Sequence, residues 1–366
     1  MKLSFTREQL LNPLQQVIGA VEKRQTMPIL ANILLEQVDK KIQLTGTDLE
    51  IELVAKTEIE STDTLRVTLP ARKLLDICKN LPDASAINMT VKEDRATLVS
   101  GRSRFVLASL PAADFPVLEE VSVDTTFSVS QKLLKNLIEK TAFAMAQQDV
   151  RYYLNGMLLE SRNDNLRAVA TDGHRLAMTD SEAITGITDG KQVIIPRKGV
   201  LELQRLLSDS DDEIKVSFGS NHICVTFSNL RYTSKLIDGR FPDYERVMPA
   251  AGGNSVKTAR LGLSQSLTRT SILSNEKYRG VRLVLDGSSM KIQTQNPDKE
   301  EAEEEVEVEY GGAAMEVAFN VNYLLDALNV IGSENVEIVV TDANSSCLMK
   351  NQEDEHSKYV IMPMRL

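Results

Sequence analysis

The feature that most constrains this chain is that it repeats itself. Leu30-Ala31-Asn32-Ile33-Leu34-Leu35-Glu36 returns as Leu154-Asn155-Gly156-Met157-Leu158-Leu159-Glu160, and more distantly as Tyr278-Arg279-Gly280-Val281-Arg282-Leu283-Val284, at two steps of 124 residues. Thr45-Gly46-Thr47-Asp48 returns as Val169-Ala170-Thr171-Asp172 and faintly as Gln293-Thr294-Gln295-Asn296, in the same register. The stretch Val67 to Asp76, with Pro70 inside it, matches Val193 to Glu202 and then Val317 to Asp326, where Asn320 replaces the proline. Leu110 to Pro116 answers Ile237 to Pro242 in two copies, and the third copy ends too early to include that Phe-Pro element. Markers that keep one period signal a repeated structural unit. They divide the 366 residues into 1–125, 126–253 and 254–366, each the size of an ordinary domain.

Each copy alternates between two kinds of pattern. Leu10, Leu11, Leu14, Val17, Ile18 and Val21 fall at helical spacing behind Thr6, which with Gln9 makes a capping box, and Pro13 is expected to kink or shorten that helix. Ser130 introduces a second such run, Leu133, Leu134, Leu137, Ile138 and Met145; the third, Leu263, Leu267 and Ile272, is interrupted by Gly262. Another helix is expected after Pro70, Pro196 and Asn320. Between the helices, Ile42 to Leu53, Glu213 to Phe227 and Glu305 to Tyr310 alternate as strands of antiparallel sheets do. The expected class is α+β, with two helices packed on antiparallel sheets in each of three repeated domains.

Composition narrows function mainly by exclusion. Lys and Arg total 42 against 52 Asp and Glu, a formal net charge of −10, so any contact with nucleic acid must use a local basic surface. Cys78, Cys224 and Cys347 lie far apart and fit neither a disulfide framework nor a zinc site, which points to a reducing cytoplasm. No signal peptide and no membrane-length apolar run is evident. There is no phosphate loop, dinucleotide fingerprint or zinc-protease motif, so no cofactor and no metal is expected. The best enzymatic candidate is a metal-dependent hydrolase built on Asp172 and His174 in Thr171-Asp172-Gly173-His174-Arg175; the plainer reading is a polar turn after a strand.

Longer segments carry a resemblance. Arg151-Tyr152-Tyr153-Leu154-Asn155-Gly156-Met157, Thr171 to Leu176, Asp238-Gly239-Arg240-Phe241-Pro242-Asp243-Tyr244, Ile272 to Lys277 and the ending Met362-Pro363-Met364-Arg365-Leu366 closely resemble the bacterial β sliding clamp family, the processivity subunits of DNA polymerase III. The likeness runs along the whole chain. It implies a non-enzymatic protein with three clamp domains, a homodimer closed head to tail into a six-domain ring around double-stranded DNA. The implied partners are the DNA polymerase III alpha subunit, the clamp loader complex, and other DNA polymerases and repair proteins that dock through short peptide motifs.

The resemblance also assigns residues. DNA contacts would fall at Arg24, Arg72, Gln148, Tyr152 and Tyr153, although aromatic core packing is the ordinary explanation of such a tyrosine pair. The basic residues cluster where the helices are, at Arg7, Lys23 and Arg24; Arg72, Lys73 and Lys79; Lys132, Lys135 and Lys140; Arg197, Lys198 and Arg205; and Arg260 and Arg269. Arg197 and Lys198 join the DNA set on that ground, with a solvated helix face as the alternative. At the dimer contact Phe105 and Leu107 would meet Ile272 and Leu273. Charge agrees with that pairing: Lys73, Arg95, Arg102 and Arg104 oppose an acidic run that includes Glu300, Glu301, Glu303 and Glu304. A peptide pocket would use Leu154, Thr171, Gly173, His174, Arg175, Leu176, Pro242, Arg246, Val247, Ser346, Val360, Met362, Pro363, Met364 and Arg365. The methionine-rich tail suits a surface with many partners, or else packs into the core of its own domain.

Overall fold

A computed structural model of the chain describes residues 2–21, 27–59, 65–118, 122–162, 164–182, 184, 190–249 and 252–365; the expected DNA contact at Arg24 and the neighbouring Lys23 lie outside them. The α-helices fall two to a copy: α1 (Arg7–Val17) and α2 (Ala71–Asn80), α3 (Gln131–Glu139) and α4 (Arg197–Leu206), α5 (Arg260–Ser271) and α6 (Val321–Val330). The capping box that opens α1 is present, the Gln9 N–H donating to Thr6 Oγ1 at 3.3 Å and the Thr6 N–H to Gln9 Oε1 at 2.8 Å. Pro70 and Pro196 stand directly before α2 and α4. Asn320, in the same place before α6, caps it instead by accepting the Asn322 N–H at 2.9 Å. The marker changes chemistry while the strand-to-helix junction stays.

Three expectations about the helices change. Helix α1 runs four residues beyond Pro13 and continues as a 3-10 turn, Ile18–Ala20. Burial of Leu10, Leu14 and Val17 against the strand Ile51–Glu58, at about 1.5–3 kcal/mol per side chain, offsets the lost hydrogen bond. Helix α3 stops at Glu139, so Met145 reaches the core from beyond a 3-10 turn, Ala142–Ala144, and not from the helix. Gly262 does not interrupt α5.

The chain divides into two compact units, Met1–Lys132 with Leu201–Leu236, and Leu133–Val200 with Ile237–Leu366. The first contains a four-stranded antiparallel sheet, in spatial order Lys2–Thr6, Ala86–Lys92, Arg95–Ser100, Ser103–Ala108. Its other sheet has eight strands: Arg66–Pro70, Asn32–Val38, Lys41–Thr47, Ile51–Glu58, Leu230–Lys235, His222–Thr226, Glu213–Gly219 and Val123–Ser130. The second unit has a nine-stranded sheet, Gln192–Pro196, Gly156–Arg162, Asn165–Thr171, Arg175–Asp180, Ser357–Ile361, Cys347–Asn351, Asn335–Val340, Asn254–Ala259 and Glu309–Tyr310. It also has a four-stranded sheet ordered Glu301–Glu307, Ser289–Gln295, Gly280–Asp286, Met315–Asn320. Each large sheet therefore joins strands of two sequence copies. Ile51–Glu58 pairs with Leu230–Lys235, and Arg175–Asp180 pairs with Ser357–Ile361.

The Thr-Asp marker is the turn that makes these hairpins. Asp48 Oδ1 accepts the N–H groups of Glu50 and Ile51 at 2.9 and 2.7 Å, while Thr47 Oγ1 donates to the Ile51 carbonyl at 2.8 Å. Asp172 Oδ1 repeats this with His174 and Arg175 at 2.9 and 3.0 Å, and Thr171 Oγ1 donates to the Arg175 carbonyl at 2.6 Å. In the third copy Asn296 accepts from the Glu300 N–H at 3.0 Å across a longer loop. The runs Ile42 to Leu53 and Glu213 to Phe227 are accordingly hairpins and not single strands. Phe115 and Phe241 of the Phe-Pro marker are buried, the first beside Ile29, Leu30 and Leu34, the second beside Leu158, Val169 and Ile194. Cys78, Cys224 and Cys347 are buried thiols, and among the described residues no helix is long and apolar enough to cross a membrane.

Asp48→Ala leaves two N–H groups of the turn, that of buried Ile51 among them, without their acceptor, so stability falls by about 1–3 kcal/mol. In a urea titration its midpoint drops at unchanged slope, whereas Asp48→Asn, which keeps a carbonyl acceptor, stays near the parent.

Candidate peptide pocket and assembly edges

The turn Thr171 to Arg175 sits at the mouth of a cavity of about 250 Å³ in the second unit. Asp172 is not placed for hydrolytic chemistry. One of its oxygens holds the two turn N–H groups and the other accepts from Arg175 Nε at 3.1 Å, while His174 is exposed. Among the described residues no cluster of three or more His, Cys, Asp or Glu could hold a metal. The sharp bend is completed by Gly173 at φ +86°, where a Cβ would stand 3.0 Å from the Arg151 guanidinium. Arg175 gathers the surroundings. Its Nη1 reaches Asp326 at 2.5 Å and its Nη2 the Phe143 carbonyl at 2.7 Å, and its guanidinium lies 4.5 Å from the centre of the Tyr323 ring.

Of the expected pocket residues, Leu154, Thr171, Gly173, Arg175, Leu176, Pro242, Val247, Val360 and Met362 line this cavity. Its floor is the apolar core of the nine-stranded sheet, where Leu158, Val169, Leu176, Met178, Phe241, Tyr244 and Val360 pack together. Strand pairing of Leu176 with Val360 brings residues of two sequence copies onto that floor. The other expected residues stand elsewhere. His174 contributes its carbonyl to the Met362 N–H at 2.9 Å, Arg246 turns outward onto Asp243 at 2.7 Å, and Ser346 and Pro363 are half-buried outside the lining. Met364 and Arg365 border a separate groove with Asn275, Tyr278 and Glu303. Arg151, Tyr153, Asp243 and Tyr244 were not expected there, yet they line the cavity. All four fall inside the segments Arg151 to Met157 and Asp238 to Tyr244, whose density of aromatic and charged residues is the available signal.

Tyr153, expected at the DNA, lines the cavity, while Tyr152, edge-on to it at 5.7 Å between ring centres, is exposed. Gln148 is exposed at φ +57° in the preceding loop. That loop is pinned by Asp149, which accepts from Arg151 Nε at 3.0 Å and Nη2 at 2.9 Å; this pairing holds the carboxyl down at about 2. Among the basic clusters, several cations are engaged internally: Arg7 with Asp83 and the Cys78 carbonyl, Arg205 with Glu202, Arg260 with the Ser333 and Leu328 carbonyls, Arg269 with Glu304, and Lys140 with Asp354. Arg197 is half-buried and donates to the Met145 carbonyl at 3.4 Å. Arg72, Lys73, Lys79, Lys132 and Lys198 are exposed on their helices.

The expected interface residues sit on or beside two sheet edges. Ser103–Ala108 is a terminal strand that carries exposed Arg104 next to half-buried Phe105 and buried Leu107; Arg95 and Arg102 are exposed nearby. Glu301–Glu307 is the other terminal strand, on which exposed Glu301, Glu303, Glu305 and Glu307 alternate with half-buried Ala302, Glu304 and Val306. Gln295, Gln293 and Ser289 each donate to one of the exposed carboxylates, and Arg269 holds the Glu304 carboxyl below the usual range. Glu300 is exposed at the start of the strand, Ile272 is 75% exposed after α5, and Leu273 is half-buried.

Three profiles of the DNA polymerase III beta subunit match the sequence, the N-terminal domain over residues 1–119, the central domain over 128–243 and the C-terminal domain over 245–365. The chain is 53% identical over 367 residues to the beta sliding clamp of Pseudomonas aeruginosa and 48% identical to that of Escherichia coli, each alignment covering 100% of both chains. The crystal structure of the DNA polymerase III subunit beta from Pseudomonas aeruginosa superposes with a TM-score of 0.97 at 52% identity, again over 100% of both chains.

Arg175→Lys keeps the charge but loses the fork to Asp172, Asp326 and the Phe143 carbonyl. Thermal unfolding should register a loss of at least about 1.5–3 kcal/mol, the usual worth of one charged hydrogen bond.

Proposed function

The chain belongs to the family of the DNA polymerase III beta subunit, the bacterial sliding clamps, and on that premise we propose that two copies close head to tail into a ring that encircles duplex DNA and tethers the replicative polymerase. The protein is a processivity factor and not an enzyme. Its place of work is the cytoplasm, at the nucleoid during replication. The three copies 1–125, 126–253 and 254–366 act as the domains of each half ring.

One observation carries the assembly. Within the chain, the strand that follows the Thr-Asp turn in one copy pairs with a strand from the next copy, twice over. The third copy has such a strand, Glu301–Glu307, and the first has its natural acceptor, Ser103–Ala108, and both are edges. The pairing rule, applied once more, joins them between two chains. The register follows from the repeat. Glu52 faces Thr233; Glu301 holds the place of Glu52, since it faces Gln295 as Glu52 faces Thr47. Val106 holds the place of Thr233, since the Ser109 N–H bonds Asp94 as the Leu236 N–H bonds Asn221. Glu303 then faces Arg104 of the partner subunit, Glu305 faces Arg102 of the partner subunit, and Ala302 faces Phe105 of the partner subunit.

In that register exposed Glu301, Glu303 and Glu305 meet the partner's Val106, the partner's Arg104 and the partner's Arg102, exposed as well, and half-buried Ala302 meets the partner's Phe105, also half-buried. An acidic edge paired with a copy of itself would oppose like charges, so it excludes the wrong assembly as well as favouring the right one. Each rim ion pair adds only about 0–1 kcal/mol, and Phe105, Leu107, Ile272 and Leu273 supply the apolar centre. A head-to-tail contact of this kind avoids open polymers only if it closes, which two chains of three domains accomplish.

Exposed Arg72, Lys73, Lys79, Lys132 and Lys198, with Gln148 and Tyr152, are the proposed phosphate contacts, non-specific in sequence. The cavity lined by Leu154, Leu176, Val247, Val360 and Met362 is the proposed site for short apolar motifs of polymerases, the clamp loader and repair proteins.

The test of function is topological. Loaded protein should stay on closed circular DNA at a salt concentration that strips it from short linear duplex, and should leave when the circle is cut; equal loss from both forms would overturn encirclement. The register has its own test. Glu303→Arg and Arg104→Glu should each shift sedimentation toward the folded monomer, and the double exchange should restore the dimer.

A further inference from the structure

Behind the pocket wall lies a second cavity, of about 190 Å³, bordered by Leu158, Glu160, Arg162, Gln192 and Phe241. Tyr244 separates the two spaces and lines both. The ring packs into the apolar core, and its hydroxyl, buried with it, needs a hydrogen-bond partner to fix it. Glu160, 8% exposed, does so directly: its Oε2 accepts the Tyr244 hydroxyl at 2.7 Å and its Oε1 accepts Gln192 Nε2 at 2.7 Å. The same hydroxyl accepts from Arg167 Nη1 at 3.3 Å, and Arg167 is itself clamped on Asp180 at 2.6 and 2.8 Å. The next residue, Glu245, pairs with Arg162 and stands 3.7 Å from Arg167. Two successive residues of the 3-10 turn Tyr244–Val247 are therefore tied to the sheet.

The repeat isolates what is special about this arrangement. Glu36 occupies the place of Glu160 in the first copy, and its strand partner there is Arg66, which pairs with it at 2.7 Å. In the second copy the sides are exchanged: Glu160 faces Gln192 on the strand where Glu36 faces Arg66, and faces Arg167 on the strand where Glu36 faces Gln43. Gln192 takes one carboxylate oxygen and Arg167 is turned onto Asp180, so the other oxygen accepts from a donor outside the sheet, and the donor is the pocket wall. We propose that Glu160 is a positioning residue of the peptide pocket, which fixes the Tyr244 to Val247 wall through the Tyr244 hydroxyl. The inference rests on the cavity being the peptide site.

The experiment compares the full-length dimer with Tyr244→Phe, Glu160→Leu, Glu160→Gln and the Tyr244→Phe/Glu160→Leu double variant. The probe is a fluorescent peptide with a Gln followed by closely spaced Leu and Phe, read by anisotropy, with amide hydrogen exchange of residues 243–248 measured alongside. Tyr244→Phe and Glu160→Leu should each weaken the peptide about five- to tenfold, a fraction of the worth of one charged hydrogen bond because the tether acts on the wall and not on the peptide. Each should also speed exchange in the turn, and the double variant should be no worse than either single one. Glu160→Gln, which still accepts the hydroxyl, should recover most of the affinity. Exchange in 243–248 that is unchanged in both single variants overturns the tether whatever the peptide does. Faster exchange with unchanged peptide affinity overturns the positioning role, and failure of the parent to bind the peptide overturns the pocket reading and the role with it.

Discussion

A strand in the middle of a sheet has two sets of backbone groups to satisfy, and a strand at an edge has one set left over. The fold is organised by where those leftovers go. Each copy of the repeat ends one sheet on the strand after its Thr-Asp turn, and the chain satisfies that strand with the next copy. The pairing of Ile51–Glu58 with Leu230–Lys235, and of Arg175–Asp180 with Ser357–Ile361, turns three modest repeats into two large sheets. The cores follow from it, because Leu176 and Val360 reach one apolar cluster only through that register. So does assembly, since a chain of three copies necessarily leaves one acceptor strand at its start and one donor strand at its end.

The pocket is a second product of the same junction. Its floor is sheet core, and its rim is the polar turn that ends the hairpin, so the residues that fold the turn are also those that shape the opening. Asp172 shows the competition most directly. The carboxylate of the one candidate catalytic pair is occupied by two N–H groups and Arg175. Arg175 in turn ties the rim to α6 through Asp326 and Tyr323, which gives a surface pocket the rigidity of buried structure. The wall across from it combines core packing of the Tyr244 ring with the hydrogen bond from its hydroxyl to Glu160.

Much of this could be read from local pattern. Helix starts were legible because Thr6, Pro70, Pro196 and Asn320 act within a few residues of themselves. The Thr-Asp turn was legible as a repeat marker, though not as the hydrogen-bonded device it is. Pro13 misled, because its cost is local and the burial of Leu10, Leu14 and Val17 that outweighs it is not. Arg7, Arg205, Arg260 and Arg269 look alike in a string of basic residues, yet each is turned to an acidic or carbonyl partner, in several cases tens of residues or more distant. Arg246 turns out of the pocket while Tyr244, two residues earlier, turns in, a choice made by the 3-10 turn and by Glu160.

By itself the sequence determined the threefold repeat, the α+β class, the places where helices begin, and the charge contrast between a basic strand near residue 104 and an acidic one near residue 303. These are properties of spacing and composition that survive without coordinates. Only the tertiary structure decided which strands close against which, which cations remain exposed on their helices, and which side chains of the Thr171 and Tyr244 turns face the cavity. The physical reason is range. Capping, turn chemistry and periodicity act over a few residues, whereas strand register between copies and the pairing of a buried carboxylate with a phenol depend on groups that the chain brings together from up to about 180 residues apart.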